Sequence, residues 1–502
     1  MTEREATLEA QLKASQLEVK LLKEKVDALV RMIYGKKSEK IDPNQLLLLE
    51  GDDSKKEAEP TDTDSATESG AEREVSTRTK QKPSKPKRPR IPENLPVYEE
   101  VLDPEEVRAQ PEAYRKIGEE VSEQLDWRPA QFLKRRLIRG KYVRRDSSYA
   151  PPVIAPLPPV LQERCLATPD LIAQVLVSKY VDHLPLYRQE QIFLNRYDVE
   201  IARQTLCRWV ELAAWWLEPI YTEMIRLQNL RSYLQIDETP IAYLEPGAGK
   251  TKQGYFWVTS VPGGDVIYHW YPGRAAKYLD KVLDKSFIGT IQCDAYQAYK
   301  SFEKQRAGPL ELAGCWAHVR RKFFDSLDRD RAVVLWLLCQ IGQLYQIERN
   351  LREIGASAKL RAVIRSSESA PIVKRLCKAF DLLKPRYLPQ SSLGKAINYA
   401  MGQWPDLQVF LHNGKVELDN NLVENAIRPT KLGLKNWLFI GSENSGKTSA
   451  IVFTLVESAK RHGLEPYSYL CDLLHRLPAA KSDEIDKFIP EAVAKTQRKT
   501  AA

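Results

Sequence analysis

Residues 231–240, Arg-Ser-Tyr-Leu-Gln-Ile-Asp-Glu-Thr-Pro, decide how the rest of the chain is interpreted. Residues 233–236 form a short, largely apolar run that predicts a strand, and the run stops at the carboxylate of Asp237. A second run of this kind, residues 289–293, stops at Asp294. Because the ends of neighbouring strands meet at one edge of a sheet, these two stretches predict a shared acidic site.

A third acid, Glu424, lies in residues 419–428, Asp-Asn-Asn-Leu-Val-Glu-Asn-Ala-Ile-Arg, which predict the start of an amphipathic helix. A helix laid across the sheet could bring Glu424 to Asp237 and Asp294. Carboxylates suit magnesium, and two such ions activate a nucleophile and stabilise a leaving oxygen at phosphorus. The three acids therefore predict two Mg²⁺ ions, with Mn²⁺ as an alternative. Taken singly, each acid is equally typical of a turn or cap, and strand alternation points Glu238 away.

The composition indicates a multidomain protein that contacts a polyanion. At 502 residues the chain is too long for one core. The net charge of +9 is modest, but basic clusters lie beside acidic ones. The seven cysteines are scattered, which favours a reducing compartment over a disulfide scaffold. The sequence contains no long apolar run and no signal-peptide pattern at its start, so we expect a cytoplasmic protein without a membrane span.

The first 95 residues divide into two predicted segments. Within residues 1–50, apolar residues alternate at spacings of four and three over four heptads, which predicts a coiled-coil oligomerisation helix. A single amphipathic helix packed on its own protein is the alternative. Residues 51–95 are acidic and then basic, with prolines and few apolar residues, and they predict a disordered charged linker.

Two units are predicted between this linker and the first catalytic strand. Residues 96–159 indicate a small β-unit ending in a proline spacer, and its residues 134–145 hold seven cations that could contact phosphates. Residues 160–228 indicate a helical, helix-turn-helix-like DNA-binding unit, in which Arg203 and Arg208 lie on the second helix. Exposed charge without a ligand, or a helical hairpin that binds nothing, remains the alternative in both cases.

The remaining chain predicts a multidomain α+β protein with a divided catalytic core. The order strand, hairpin, helix, strand, helix, strand matches a ribonuclease-H-like layer. We expect four segments, which are a first core segment (229–318), a helical insertion (319–415), a second core segment with the catalytic Glu (416–465) and a polar, fraying C-terminal tail (466–502).

Six motifs together resemble the insertion-sequence-66 family of bacterial transposases, and the resemblance covers roughly residues 20 to 475. The motifs are Asp-Glu-Thr-Pro at 237–240, Cys-Asp-Ala-Tyr at 293–296, Cys-Trp-Ala-His-Val-Arg-Arg-Lys-Phe at 315–323, Asp-Asn-Asn-Leu-Val-Glu-Asn-Ala-Ile-Arg-Pro at 419–429, Lys-Asn-Trp-Leu-Phe-Ile-Gly at 435–441 and Lys-Tyr-Val-Asp-His-Leu-Pro-Leu-Tyr-Arg-Gln-Glu at 179–190.

The resemblance implies an Asp-Asp-Glu transposase with a ribonuclease-H-like core, magnesium, and catalytic residues Asp237, Asp294 and Glu424. Such an enzyme binds terminal inverted repeats, cleaves the element ends with metal-activated water and transfers 3′ hydroxyl ends to target DNA. The implied partners are double-stranded DNA, a second copy of the chain or a higher oligomer, and accessory proteins of the same element. A nucleoid-associated location follows.

Zinc is not expected. The family often has two Cys-x-x-Cys pairs in the stretch that corresponds to about residues 100 to 150, and this chain has no cysteine there. Cys315 and His318 have the spacing Cys-x-x-His, which resembles a motif of several transposase families, but two ligands do not complete a structural zinc site.

Several cations are expected beside the cut phosphate. We place His318 near the active site or the DNA backbone, although a histidine held by a backbone hydrogen bond is the alternative. On the predicted Glu424 helix, basic residues follow one and two turns later on the same face. The expected phosphate ligands near the site are His318, Arg320, Arg321, Arg428 and Lys431.

Two other functions compete with this interpretation. Residues 441–448, Gly-Ser-Glu-Asn-Ser-Gly-Lys-Thr, fit the phosphate-loop pattern and would indicate an ATPase. We reject it because the residues after Thr448 predict helices and supply no later strand ending in a magnesium-binding Asp. A non-catalytic DNA-binding repressor is the second alternative, and the presence of all three acids speaks against it.

Overall fold

The computed structural model describes residues 91–501, except 92, 94, 129–130, 146–150, 246–248, 307 and 329. The predicted coiled coil and nearly all of the predicted linker lie outside the described residues. The described residues combine two mixed sheets with many helices, so the predicted mixture of α and β structure is confirmed. Among the described helices, none is both long enough and apolar enough to span a membrane.

The first sheet has the strand order β1-β3-β2, with β1 parallel to β3 and a short β4 on another stretch of β3. Thr168 and Leu125 join it to the next helix through a backbone hydrogen bond of 2.9 Å, so sheet and helices share one core. Its elements are β1 (Val97–Leu102), α1 (Glu105–Ala109), β2 (Tyr114–Arg128), β3 (Gln131–Arg144) and β4 (Val153–Ile154).

The cations of β3 meet acids from the strands on either side. Arg135 pairs with Glu100 at 2.6 Å, and Arg136 pairs with Glu99 at 3.0 Å. Arg139 donates to a carboxylate on β2. Much of the positive charge that the sequence predicted for phosphate contact is therefore neutralised within the sheet itself.

Three helices follow, namely α2 (Pro169–Tyr180), α3 (Leu186–Tyr197) and α4 (Arg203–Asn229). Thr168 caps α2, since its Oγ1 accepts from the backbone N–H of Leu171. Asp198, at a φ of 54°, ends α3 in the left-handed conformation and turns the chain towards α4. The observed α4 continues through Pro219, because buried apolar residues recur along its whole length.

The second sheet has five strands in the order β7-β6-β5-β8-β9. β5, β6 and β7 form an antiparallel meander, whereas β8 and β9 run parallel to β5. Its elements are β5 (Tyr233–Leu244), β6 (Thr251–Ser260), β7 (Val266–Tyr271), α5 (Leu279–Val282), β8 (Gly289–Gln292), α6 (Gln297–Gln305) and β9 (Leu310–Ala313).

The expectation that the first strand stops at Asp237 is wrong. Its parallel pairing with β8 covers only three residues and ends at Gln235. Its antiparallel pairing with β6 continues to Leu244, so Asp237 lies opposite Val258 inside a longer strand. The parallel partner is lost just before Asp237, and this leaves room for another element beside the carboxylate.

Helices make up the rest of the described chain, and Ser458 and Thr454 of α14 bond to the backbone N–H groups of edge strand β7. The predicted fraying tail is instead packed, since α15 buries Leu470, Leu473 and Leu474. These helices are α7 (Trp316–Phe324), α8 (Arg331–Glu353), α9 (Ala358–Ile364), α10 (Ala370–Leu383), α11 (Ser392–Gly402), α12 (Trp404–His412), α13 (Asn421–Trp437), α14 (Glu443–Arg461), α15 (Pro466–Arg476) and α16 (Pro490–Ala501).

Candidate carboxylate site

Three acids from three different elements face one another. Asp237 projects from β5, Asp294 follows the end of β8, and Glu424 lies in the first turn of α13. Burial and the neighbouring negative charges of Glu238, Asp294 and Glu424 raise the pKa of Asp237 to about 8. The charges of Asp294 and Glu424 both contribute to this shift, so the fold brings the acids that the sequence singled out near one another, and a bound cation would relieve their repulsion.

Glu238 is a fourth acid beside this cluster. Its Oε2 accepts a hydrogen bond of 2.7 Å from the hydroxyl of Tyr299 on α6. The pKa of Glu238 is raised to about 7, chiefly by burial; the Tyr299 hydrogen bond and Arg274 lower it, and the charge of Asp294 adds to the rise. The sequence predicted that alternation turns Glu238 away from Asp237, and its bond to Tyr299 agrees with that direction.

Asp294 also shapes the turn that carries it. Its Oδ1 accepts from the backbone N–H of Tyr296 at 2.9 Å, which fixes the chain between β8 and α6. An aspartate that bonds two residues ahead in this way is a common turn former. Its role in the turn and its contribution to the acidic site are therefore compatible.

A buried polar network joins strands β5 and β8 to the segment before Glu424. Gln292 makes four side-chain hydrogen bonds, accepting from Tyr233 and Gln235 and donating to the carbonyls of Gly314 (3.1 Å) and Glu417 (2.8 Å). The Nε2 of Gln235 also donates to the carbonyl of Asp419 at 2.9 Å. We call Tyr233, Gln235 and Gln292 the glutamine clamp.

The clamp was not identified from the sequence. Both glutamines are fully buried, which is unusual for this residue type. Both amide atoms of Gln292 are hydrogen-bonded, whereas Oε1 of Gln235 has no partner among the described residues. The available signal was a repeated pattern, since Gln235 and Gln292 each stand two residues before a clustered aspartate. The clamp holds residues 417–419, immediately ahead of α13, against the strands that carry Asp237 and Asp294.

Basic side chains surround Glu424 from α7. The Nδ1 of His318 lies 3.6 Å from Oε1 of Glu424, and Arg321 Nη2 lies 3.9 Å from its Oε2. Arg321 is largely exposed, with 62% of its side-chain surface accessible, so it could also reach a ligand. Arg320 is half-buried on the same helix.

The two cations predicted on α13, Arg428 and Lys431, are both exposed. Lys431 donates to the carbonyl of Pro240 at 3.2 Å, and burial lowers its pKa while the charge of Asp237 raises it. Arg428 is exposed one turn after Glu424. Arg203 and Arg208 are exposed on α4, a separate element, where Arg203 opens the helix.

The donor set suits a hard divalent cation. Three carboxylates provide oxygen ligands of the kind that magnesium prefers. Glu424 Oε1 is buried and has no hydrogen-bond partner among the described residues, so one lone-pair-bearing oxygen is available for a ligand. Asp237, Asp294 and Glu424 are the residues that would hold the ion.

The phosphate-loop motif does not have phosphate-loop geometry. Helix α14 begins at Glu443, and Ser442 caps it by accepting from the backbone N–H of Ser445 at 3.1 Å. Residues 444–447 are therefore already helical, and their N–H groups cannot curl around a phosphate. Lys447 is exposed in the second turn. The ATPase alternative consequently loses its structural basis.

Comparison with known proteins gives matches along most of the chain. The family description "Transposase IS66 family" matches residues 164–448, "Transposase C of IS166 homeodomain" matches 21–99, and "IS66 C-terminal element" matches 454–490. A Sinorhizobium fredii protein designated y4jD is 35% identical over 417 residues, which cover 80% of this chain and 81% of that protein. A second one, y4qI, is 34% identical over 82% of this chain and 78% of its own length. Both are described as uncharacterized.

Proposed function

Because the chain belongs to the IS66 family of transposases, we propose that it is a DNA strand transferase whose catalytic acids are Asp237, Asp294 and Glu424. The observation that supports this assignment is that Asp237 is partly buried and lies near the charges of Glu238, Asp294 and Glu424, which together with burial raise its pKa to about 8. In this proposal the enzyme cleaves the ends of its element and joins the 3′ hydroxyl ends to target DNA.

The five-stranded sheet supports a ribonuclease-H-like core. Numbered within the sheet, its strands follow the order 3-2-1-4-5, with the first three antiparallel and the last two parallel to the first. Asp237 lies on the central strand and Asp294 follows its parallel neighbour. In the sequence, the helices of residues 316–412 come between the last strand of the sheet and Glu424, so they form an insertion.

Each group near the acids has a defined role in the proposed reaction. Two divalent ions at the carboxylates would activate water and stabilise charge on the leaving oxygen. Asp237, Asp294 and Glu424 are the residues that would hold these ions. Arg321 is exposed and close to Glu424, so it can hold the phosphate next to the cut, while His318 Nδ1 lies 3.6 Å from the Glu424 carboxylate.

DNA recognition is assigned to regions of the chain outside the carboxylate site. The exposed Arg203 and Arg208 of α4, together with Arg428, Lys431 and Arg320 near the site, are the proposed phosphate ligands. The homeodomain named in the description of the match at 21–99 supports a further DNA contact there. We also propose that residues 1–50 pair two copies of the chain when two DNA ends are held together.

The test is nicking of DNA that carries the element's terminal repeats, with and without Mg²⁺. Asp237→Asn, Asp294→Asn and Glu424→Gln should each lower the rate by at least about 100-fold, because several kcal/mol of charge stabilisation is lost. Glu353→Gln, at an exposed position on α8, is the matched control and should cut normally. Wild-type nicking by Asp237→Asn would refute the assignment. DNA binding without any nicking by the wild-type chain would favour a repressor.

A further inference from the structure

Cys315, His318 and Glu424 form a compact group of potential metal ligands. One ligand atom from each residue lies within 4.8 Å of the other two. Across the described residues, this is the one group of three Cys, His, Asp or Glu side chains with that spacing. Cys315 caps the N-terminus of α7, His318 lies in the first turn of α7, and Glu424 comes from α13. The fold thus adds Glu424 as a third potential ligand to Cys315 and His318, which two residues separate in the sequence.

We propose that these three residues form a second metal site, for zinc or a similar borderline divalent cation, which shares Glu424 with the carboxylate site. Sulfur, imidazole nitrogen and carboxylate oxygen are the three ligand types that zinc takes in proteins. Magnesium prefers oxygen alone, so the Cys315 and His318 side would select against it. Three protein ligands leave a fourth position for water.

The separation of His318 from Glu424 agrees with tetrahedral coordination. Two ligands at about 2.0–2.2 Å from one zinc ion lie about 3.4 Å apart, and His318 Nδ1 lies 3.6 Å from Glu424 Oε1. Both atoms are buried and neither has a hydrogen-bond partner among the described residues. Small side-chain shifts would therefore suffice for both to ligate one ion.

The surroundings of Cys315 suit a metal-bound thiolate. Burial raises the pKa of the Cys315 thiol to about 12, while the backbone N–H groups of Asn420 and His318 lower it. Backbone N–H groups of this kind orient a ligating sulfur and stabilise its negative charge. On metal binding the S–H bond breaks, the proton passes to solvent and a sulfur–metal bond forms, so no oxidant or reductant is required.

Sharing Glu424 makes the two sites antagonistic. A zinc ion held by Cys315 and His318 would keep the Glu424 carboxylate on the α7 side, away from Asp237 and Asp294. Zinc should then inhibit magnesium-dependent cleavage at concentrations far below those of magnesium. This consequence depends on the proposed function, whereas binding of the ion itself does not.

Cobalt(II) is the probe for binding, because a cobalt–thiolate bond absorbs in the near ultraviolet and tetrahedral cobalt absorbs in the visible. The full-length chain should develop both absorptions with one equivalent of cobalt, and zinc should remove them. Cys315→Ser and Cys315→Ala should abolish the thiolate absorption, and His318→Asn should weaken cobalt binding at least tenfold. Cys339→Ser, at an exposed cysteine on α8, is the matched control and should bind normally.

The unfolding midpoint of each variant shows whether it is folded, and His318→Asn provides a test that does not alter the buried cysteine. Absence of the thiolate absorption in the wild type, or its persistence in a folded Cys315→Ala, would overturn the second site. Asp237→Asn should keep the cobalt absorption while losing cleavage. Cobalt binding in a chain that never nicks DNA would leave this site standing and reject the proposed transposase chemistry. Nicking without cobalt–thiolate absorption would support the transposase chemistry and reject the second metal site.

Discussion

Gln292→Met tests whether the glutamine clamp holds the segment before Glu424. Methionine has nearly the same shape as glutamine but cannot form the four hydrogen bonds that Gln292 makes. The carbonyls of Gly314 and Glu417 and the hydroxyl of Tyr233 would lose a partner in a buried environment. Each unpaired group costs about 1–3 kcal/mol, and the more apolar side chain offsets about 1–2 kcal/mol. We therefore expect a loss of about 3 kcal/mol.

The assay is urea unfolding followed by tryptophan fluorescence, with Gln305→Met as the control. Gln305 is exposed at the end of α6, so its replacement should change the free energy of unfolding by less than about 0.5 kcal/mol. Gln292→Met should also weaken stabilisation by Mg²⁺, since residues 417–419 would no longer be held. A loss below about 1 kcal/mol for Gln292→Met would refute the clamp as a stabilising network.

Two further predictions concern titration and a buried ion pair. In EDTA, the raised pKa of Asp237, about 8, means that the folded chain holds a proton which the unfolded chain releases. The stability that this bound proton contributes is complete below the ordinary aspartate pKa and is lost as the pH rises through about 8. The thermal midpoint of the wild type should therefore fall over that pH range. In Asp237→Asn, which has no proton to lose there, the fall should be smaller. Arg365 is fully buried against Glu348 at 2.6 Å. Arg365→Met should cost about 3–5 kcal/mol in urea unfolding. It leaves Glu348 with only Arg361, at 3.1 Å, and removes the donor to the carbonyls of Phe410 and Asn413. A cost near zero would show that the pair is replaceable.

Local patterns predicted the elements that carry the three acids. A run of apolar residues ending in an acid identified β8 and Asp294, and an amphipathic run identified α13 and Glu424. The same reasoning ended β5 too early. The pairing that extends this strand comes from β6, and a local apolar pattern does not reveal a partner strand.

Charge patterns were less informative than apolar patterns, for a physical reason. The cations of β3 looked like a phosphate-binding face, but Arg135 meets Glu100, which lies 35 positions earlier in the chain. The parallel pairing of β1 with β3 creates that contact, and the periodicity of the sequence does not predict which strands pair. A run of charges predicts exposure or a partner, and only the fold decides between them.

The two strands that carry the aspartates also position the third acid. Gln235 and Asp237 are two residues apart on one strand, so both project from the same face of the sheet. Gln235 donates a hydrogen bond to the carbonyl of Asp419. The charge of Glu424, five residues after Asp419, helps to raise the pKa of Asp237. Gln292 repeats this arrangement through the carbonyl of Glu417. The anchored residues 417–419 follow the helices of residues 316–412 in the sequence. The packing of those helices therefore does not set the distance between the acids.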